Sequence, residues 1–219
     1  MLYLHLVPQL LKYPYAFSGP DLPGDPFGSG FLDRISKTQE KTRDAWLRKI
    51  DVALRIAVPQ LTELHYKTEE NGKPHLEARC EHWRPDAGKQ QEEQFSDGTL
   101  RLIGLLWSLQ EGDGLLLLEE PELSLNAAII SKLPTLIYKI QKSKKRQVLM
   151  TSHSSDLLYN RGISPHEVLI LEPNNEGTVV KVAADIRDIR ALLKSGISLS
   201  EAVLPRTRPT NIKQFTLEF

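Results

Sequence analysis

The second half of the chain alternates short apolar runs with amphipathic segments. The apolar runs, each bounded by polar residues, predict strands over 115–118, 147–151, 167–172 and 178–182. Helical periodicity predicts helices over 99–110, 127–141 and 154–159, with further helical segments from 186 onward. Strands separated by helices are typical of βαβ units, so we expect an α/β fold with a mostly parallel sheet and flanking helices.

The first half of the chain has a different pattern. Prolines and glycines are concentrated in 13–30, which predicts irregular turns there. The amphipathic stretch 31–58 predicts a helix that ends before Pro59. Partial alternation on both sides of "ENG" predicts a β-hairpin over 61–84, followed by a polar loop over 84–94. The expected organisation is a helical and hairpin region over 1–94, a second lobe over 95–183 and a partly helical tail over 184–219.

Composition and charge narrow the range of partners. Among 219 residues, Lys and Arg together number 28, as do Asp and Glu, so no global electric field favours nucleic acid or a membrane surface. The basic run "KSKKR" at 142–146 is a local candidate for DNA contact, with a solvated loop at a helix end as the alternative. A single cysteine, Cys80, fits a reducing compartment, and no apolar run approaches the ~18 residues of a membrane span. We expect a cytoplasmic protein with no membrane partner.

Adjacent carboxylates follow the most apolar run of the chain, in "GLLLLEEPE" from Gly114 to Glu122. Ligands of open α/β sheets lie beyond the carboxyl ends of the strands, which is where Glu119 and Glu120 stand. Because side chains alternate along a strand, one carboxylate can join a Mg²⁺ shell while the other orients a water as general base. The alternative is a core strand that simply ends in a solvated loop.

His153 follows the next predicted strand, in "QVLMTSH". If the two strands are neighbours, this imidazole reaches the same sheet edge as the glutamates, where it can donate a hydrogen bond to a γ-phosphate or its attacking water. The alternative is a helix cap, because Ser154 or Ser155 precedes "DLLY" and His153 is then incidental.

A short polar turn, "SDGT", opens the apolar helix predicted over 99–110. It consists of Ser96, Asp97, Gly98 and Thr99. A helix N-terminus presents unpaired N–H groups to an anion, and glycine allows the backbone to approach that anion closely. The alternative is ordinary N-capping by Ser96 or Asp97.

These elements, in this order, resemble the C-terminal half of ABC-type ATPase heads, particularly the SMC-like and RecF-like group of bacterial AAA ATPases. The stretch "FSDGT" looks like the signature motif, and "LLLLEEPE" like Walker B followed by the catalytic glutamate. The stretch "LSLN", 123–126, is similar to the D-loop, and "TSH", 151–153, to the switch-histidine loop. The resemblance implies a P-loop NTPase fold, ATP and Mg²⁺ as cofactors, and a second ATPase protomer as partner.

The resemblance also implies a role for each matching position. Glu119 takes the position of the Mg²⁺-associated carboxylate, Glu120 that of the general base, and His153 that of the γ-phosphate sensor. The signature residues, which contact ATP held by the second protomer, are Ser96, Asp97, Gly98 and Thr99. The D-loop residues, near the dimer seam, are Ser124, Leu125 and Asn126. Two positions, Glu119 and Asn126, depart from the family pattern. Glu119 stands where Asp is more usual, so its contact to Mg²⁺ would run through water.

One expected motif is missing from the sequence. No stretch matches the Walker A pattern G-x-x-x-x-G-K-[ST], whose backbone and lysine cradle the phosphates, and the first strand and helix of such a head are not found either. We therefore expect the C-terminal portion of a longer ATPase, a gene remnant or one partner of a split protein. The isolated chain is expected to bind ATP weakly and to hydrolyse it negligibly.

Two other function classes remain open on the sequence. One is a non-catalytic module that dimerises or regulates without chemistry, as the missing Walker A would allow. The other is a metal-dependent nuclease with Glu119, Glu120 and Glu122 as ligands, which is disfavoured because neighbouring strand residues point to opposite sides.

Overall fold

The computed structural model describes residues 1–14, 16, 22–81 and 88–208. The chain divides into two compact units. The first comprises Met1–Ile129 and Leu136–Ser152, and the second comprises Ile130–Thr135 and the chain from His153 onward.

The strands and helices are numbered along the chain. The strands are β1 (Leu2–Leu4), β2 (Leu61–Thr68), β3 (Pro74–Cys80), β4 (Lys89–Gln91), β5 (Leu116–Glu119), β6 (Val148–Thr151), β7 (Leu169–Asn174) and β8 (Gly177–Val182). The α-helices are α1 (Pro8–Lys12), α2 (Phe31–Lys37), α3 (Glu40–Ala57), α4 (Asp97–Ser108), α5 (Ala127–Ile130), α6 (Leu133–Lys144), α7 (Ser155–Leu158), α8 (Arg187–Lys194) and α9 (Leu199–Val203).

A parallel sheet with the order β1-β5-β6 forms the centre of the first unit. Leu116 pairs with Leu2 on one side and with Val148 on the other, so the leucine strand is central. Leu116 and Leu118 are buried, which agrees with the expectation that four consecutive leucines form a core strand. The predicted strands over 115–118 and 147–151 are confirmed as parallel neighbours. The three-residue strand β1 was not predicted, because "LYL" is too short to show a period.

The strands predicted near 167–172 and 178–182 exist but do not join the parallel sheet. β7 and β8 form an antiparallel hairpin in the second unit, with Leu171 opposite Val180. Two residues connect the strands, and a parallel pair needs a crossover of about a dozen or more. The short connection therefore dictates a hairpin, and the expected parallel sheet is the sheet β1-β5-β6 of the first unit.

A second, antiparallel sheet with the order β2-β3-β4 also belongs to the first unit. The predicted hairpin is confirmed, with Lys67 opposite His75 across the turn. The predicted loop over 84–94 is wrong in part, because residues 89–91 form β4, where Gln91 pairs with Glu77. Residues 82–87 lie outside the described residues.

Two predicted helices are each interrupted. The segment 31–58 forms α2 and α3, which are separated by Thr38 and Gln39, whose ψ angles of 136° and 131° are extended. The segment 127–141 forms α5 and α6, with Pro134 in the first turn of α6, where its missing N–H is tolerated. Trp107 of α4 is fully buried and contacts Trp46 and Phe31 edge-on, as expected of a core residue.

Part of the basic run 142–146 packs against the protein interior. Arg146 is buried and donates to the carbonyls of Ser108, Glu111 and Gly114, and Lys144 donates to the carbonyl of Gln110. These acceptors follow or end α4, so the cations stabilise the carboxyl end of that helix. The predicted solvated loop is wrong at Arg146, which is buried, and the helix end that these cations meet is that of α4 and not that of the preceding α6.

Within the described residues, no helix is both long enough and apolar enough to span a bilayer.

A buried carboxylate on the antiparallel sheet gives this fold an acid-sensitive ion cluster. The Glu77 side chain is only 4% exposed and accepts from Lys67 Nζ at 2.7 Å, with Lys89 Nζ at 2.9 Å. Hydrogen bonds from these two ammonium groups lower the pKa of Glu77 to about 2. The folded pKa lies below the unfolded one, so the stabilisation is complete above pH ~4.5 and is lost as the pH falls toward 2.

We expect acidification from pH 5 to pH 2.5 to lower the free energy of unfolding by about 1–2 kcal/mol, because protonated Glu77 loses its ion pairs. This value allows for solvent screening of the two ammonium groups, which are about half exposed. Urea unfolding of the wild type and of Glu77→Gln measures this. The variant should be less stable at pH 5, and its stability should fall less on acidification. Equal pH slopes in the two proteins would show that Glu77 does not carry the effect.

Candidate active site

Glu119 is the last residue of the central strand and lies beside the neighbouring strand β1. Its carboxylate accepts a hydrogen bond from the Tyr3 hydroxyl, and His5 Nδ1 lies 3.9 Å from the same oxygen. The hydrogen bond raises the pKa of Tyr3 above its usual range. The Glu119 side chain is 43% exposed, so a solvated cation can reach it. Sequence reasoning missed Tyr3 and His5, because nothing local indicates that β1 pairs with β5.

Glu120 adopts a backbone conformation that is rare for its residue type. Its φ is +41°, in the left-handed region, and its N–H donates to the carbonyl of Thr151 at 3.2 Å. This bond joins the turn after β5 to the end of β6. Strained residues cluster at functional sites, held in place by surrounding structure. The conformation breaks the strand alternation and gives Glu120 a different environment from Glu119.

We expect Glu120→Asn to raise the free energy of unfolding by about 0.5–1 kcal/mol, because Asn tolerates left-handed φ better than Glu. Chemical denaturation of the isolated chain measures the change. The adjacent Glu119→Asn is the matched control, and it should lower stability because it loses the bond from Tyr3. A Glu120→Asn chain less stable than wild type would contradict the inferred strain.

Glu122, the third carboxylate of the segment, is buried instead of solvated. It is 6% exposed, and its Oε1 accepts a hydrogen bond from the Ser152 hydroxyl. This contact ties the turn after β5 to the residue that precedes His153. The described residues contain no group of three or more His, Cys, Asp or Glu side chains arranged to hold a metal ion, which gives no support to the nuclease interpretation.

The candidate signature turn is a capped helix start. Ser96 is the N-cap of α4, and its Oγ accepts from the N–H of Thr99 at 3.1 Å. Asp97 accepts from Lys12 Nζ at 2.9 Å and from Gln9 Nε2 at 3.1 Å. The hydrogen bond from Lys12 lowers the pKa of Asp97. The N-capping interpretation is therefore confirmed, and capping leaves an anion-binding role open because other N–H groups of the first turn have no helical partner.

The candidate D-loop packs directly on this turn. A Cβ placed on Gly98 would lie 2.4 Å from the carbonyl oxygen of Ser124 and 3.8 Å from Leu125 Cδ2. Only glycine allows this approach of two backbones. Ser124 itself has a φ of +63°, and the Oδ1 atom of Asn126 accepts from the N–H of Ala128 at 2.9 Å. The structure thus brings 96–99 and 123–126 together within the first unit.

His153 belongs to the second unit, immediately after Ser152 in the sequence. The following Ser154 is the N-cap of α7, and its Oγ accepts from the N–H of Leu157 at 3.3 Å. The helix-capping interpretation is confirmed for Ser154. The role of His153 stays a prediction.

The residues at the strand end suit Mg²⁺ better than a metal that requires a full protein cage. Mg²⁺ usually keeps several waters and takes one or two carboxylates together with substrate phosphates. Glu119 offers one exposed carboxylate of this kind. A cavity of about 660 Å³ lies elsewhere, at the amino end of the parallel strands, where it is lined by Met1, Gly114 and Arg146 among others.

The parallel sheet with its flanking helices has the fold of SMC ATPase head domains, and carboxylates stand at the carboxyl end of its central strand. The chain belongs to the family described as "AAA domain, putative AbiEii toxin, Type IV TA system", whose sequence profile matches residues 5–159. Among curated proteins, none matches the chain in sequence.

Solved structures share the fold. One, from a study of "ATP-driven dimerization and DNA stimulated activation of SMC ATPases", is 13% identical over 75% of this chain and 94% of its own, with a TM-score of 0.50. Another is the Smc head domain with a coiled coil and joint from Pyrococcus yayanosii, which is 14% identical with a TM-score of 0.50. The match covers 76% of this chain but only 32% of that one. At these identities the likeness shows the fold alone.

Proposed function

We propose that this chain forms part of a Mg²⁺-dependent ATP-hydrolysing head that works as a dimer. Glu120 orients the attacking water as general base, and Glu119 contacts Mg²⁺, through water if the longer side chain requires it. The carrying observation is the strained backbone of Glu120 at the end of the central strand. Strain is retained there because the bond to Thr151 and the buried Glu122 hold the turn.

The signature turn and D-loop serve the second protomer in this proposal. Ser96, Gly98 and Thr99 would contact a γ-phosphate held by the partner, with Asp97 fixing the turn through its contacts to Lys12 and Gln9. The close contact between Gly98 and Ser124 supports a single surface formed by the signature turn and the D-loop, because a movement of one segment would displace the other. Leu125 and Asn126 would lie near the seam, and His153 would sense the γ-phosphate. ATP-driven dimerisation has been studied for SMC ATPases, and we extend it to this chain as part of the proposal.

Complementation tests the proposal. The chain is mixed with a segment of another family member that carries the Walker A pattern, and phosphate release is measured with and without Mg²⁺. We expect negligible hydrolysis by the chain alone and Mg²⁺-dependent hydrolysis by the mixture. A mixture that binds ATP but hydrolyses it equally well with Glu120→Gln would refute the role of Glu120.

A non-catalytic dimerisation or regulatory module is the second candidate, and the sequence without a Walker A motif favours it. Analytical ultracentrifugation separates the two. Self-association of the chain without nucleotide, together with a complemented mixture that never hydrolyses ATP, would favour the module.

A further inference from the structure

Part of the basic run 142–146 serves neither the interior nor the candidate active site. Lys142 and Lys145 are exposed at the end of α6, and Lys139 is exposed on the same helix. Residues three or four positions apart are neighbours on a helix surface, so Lys142 adjoins both Lys139 and Tyr138, which is 59% exposed. The end of α6 thus presents a basic face that consists of Tyr138, Lys139, Lys142 and Lys145.

The basic face lacks carboxylates that would neutralise it. No Asp or Glu occurs over 123–155, a stretch that contains six Lys and Arg residues. Within the described part of the chain, the side chains of its three lysines form no hydrogen bond or ion pair. On the antiparallel sheet, by contrast, Lys67 and Lys89 both lie beside Glu77. The net charge of the whole chain is zero, so the basic face is a local excess of positive charge.

The helix α3 adds a further cation near the end of α6. Lys144 Nζ lies 5.1 Å from the centre of the Trp46 ring, and Lys49, one turn further along α3, is exposed. Burial lowers the pKa of Lys144, and the charges of Arg146 and Lys49 lower it further. Asp113 acts in the opposite direction. Two elements that are distant in the sequence therefore bring cations close enough to repel one another, and a bound anion would relieve that repulsion.

We propose that the basic face binds the phosphate backbone of nucleic acid without reading its sequence. Lys side chains bind phosphates as point charges, and a Tyr hydroxyl can donate to a phosphate oxygen. Lys139 and Lys145 are six positions apart, about 9 Å along a helix. One DNA strand carries a phosphate about every 3.4 Å of its axis, so the face can contact two or three successive phosphates. The inference does not depend on ATP hydrolysis.

Charge density favours nucleic acid over an acidic protein segment. A DNA duplex carries one negative charge per about 1.7 Å of its axis. An extended peptide carries at most one per about 3.3 Å, even where every residue is acidic. Lysines clustered at one helix end without intervening carboxylates gain most from the denser array, because each phosphate contact also releases a condensed counterion.

The test is fluorescence anisotropy of a short labelled DNA duplex titrated with the whole chain, without nucleotide, at several salt concentrations. We expect a dissociation constant of about 10⁻⁶–10⁻⁴ M at physiological salt, the range of non-specific binding. The combined substitution Lys139→Gln, Lys142→Gln and Lys145→Gln should raise it about 10–100-fold at low salt. The slope of log affinity against log salt should become shallower by about 2–3, one unit for each lost phosphate contact. Thermal unfolding should be unaffected, because the three side chains are exposed.

The matched control is the combined substitution Arg187→Gln, Arg190→Gln and Lys194→Gln on α8. It also removes three exposed helical cations and changes the net charge by the same amount, but Asp188 lies among them. This control should leave the dissociation constant and the salt slope near their wild-type values. Two duplexes of unrelated sequence should bind the wild type equally, because phosphates carry no sequence information.

Four outcomes would overturn the inference. Absence of binding by the wild type, or an unchanged salt slope in the α6 variant, would remove the contact. Equal weakening by the α6 and α8 variants would assign binding to net charge in general. A strong preference for one duplex sequence would contradict backbone recognition. Displacement of the duplex by polyglutamate at equal charge concentration would indicate an acidic protein partner instead.

Discussion

Glu120→Gln is expected to reduce ATP hydrolysis by the complemented head by about 10²–10⁴-fold, the usual contribution of a general base. Gln has nearly the same shape as Glu and can still accept a hydrogen bond from water, but it cannot take the proton. The strained backbone and the N–H bond to Thr151 do not depend on the side-chain charge, so folding should be unaffected. ATP binding should be unchanged or tighter, since a negative charge near the phosphates is removed.

Single-turnover phosphate release and equilibrium binding of a fluorescent ATP analogue measure the two effects separately. Glu176→Gln, an exposed glutamate in the turn between β7 and β8, is the matched control and should leave both unchanged. A drop in hydrolysis that is matched by an equal drop in ATP binding would assign Glu120 to binding instead of to chemistry.

Gly98→Ala is expected to lower the free energy of unfolding by about 1–3 kcal/mol and complemented hydrolysis by about 10²-fold. The added Cβ would lie 2.4 Å from the backbone oxygen of Ser124, a distance that no side-chain rotation relieves. The φ of Gly98 is outside the left-handed region, so steric overlap is the only cost of the new methyl group. The loop over 123–126 must therefore move away from the signature turn.

Gly104→Ala provides the comparison within the same helix. Its Cβ would meet Leu6 Cδ1 at 2.7 Å, and this is the end of a side chain that can rotate. Denaturation and hydrolysis assays on both variants should show the larger loss for Gly98→Ala. If the two lose equal stability and activity, the backbone contact between the turn and the loop has no special role.

The local pattern was sufficient to predict several individual elements. The leucine run, the capped turn at Ser96 and the hairpin around "ENG" were predicted from neighbouring residues, because period and capping act within a few positions. The order of the motifs was enough to predict the family, whose sequence profile matches residues 5–159. The lack of a Walker A pattern is likewise a property of the sequence alone.

Contacts between distant segments could not be predicted in this way. The pairing of β1 with β5 brings Tyr3 to Glu119 across more than a hundred residues, and the pattern of neither segment encodes the other. The approach of Gly98 to Ser124 and the left-handed φ of Glu120 depend equally on packing between elements. The sequence by itself determined which chemical groups are present and in what order. Only the tertiary structure decided which of them meet, because burial and strand pairing arise from long-range contacts that a local pattern does not contain.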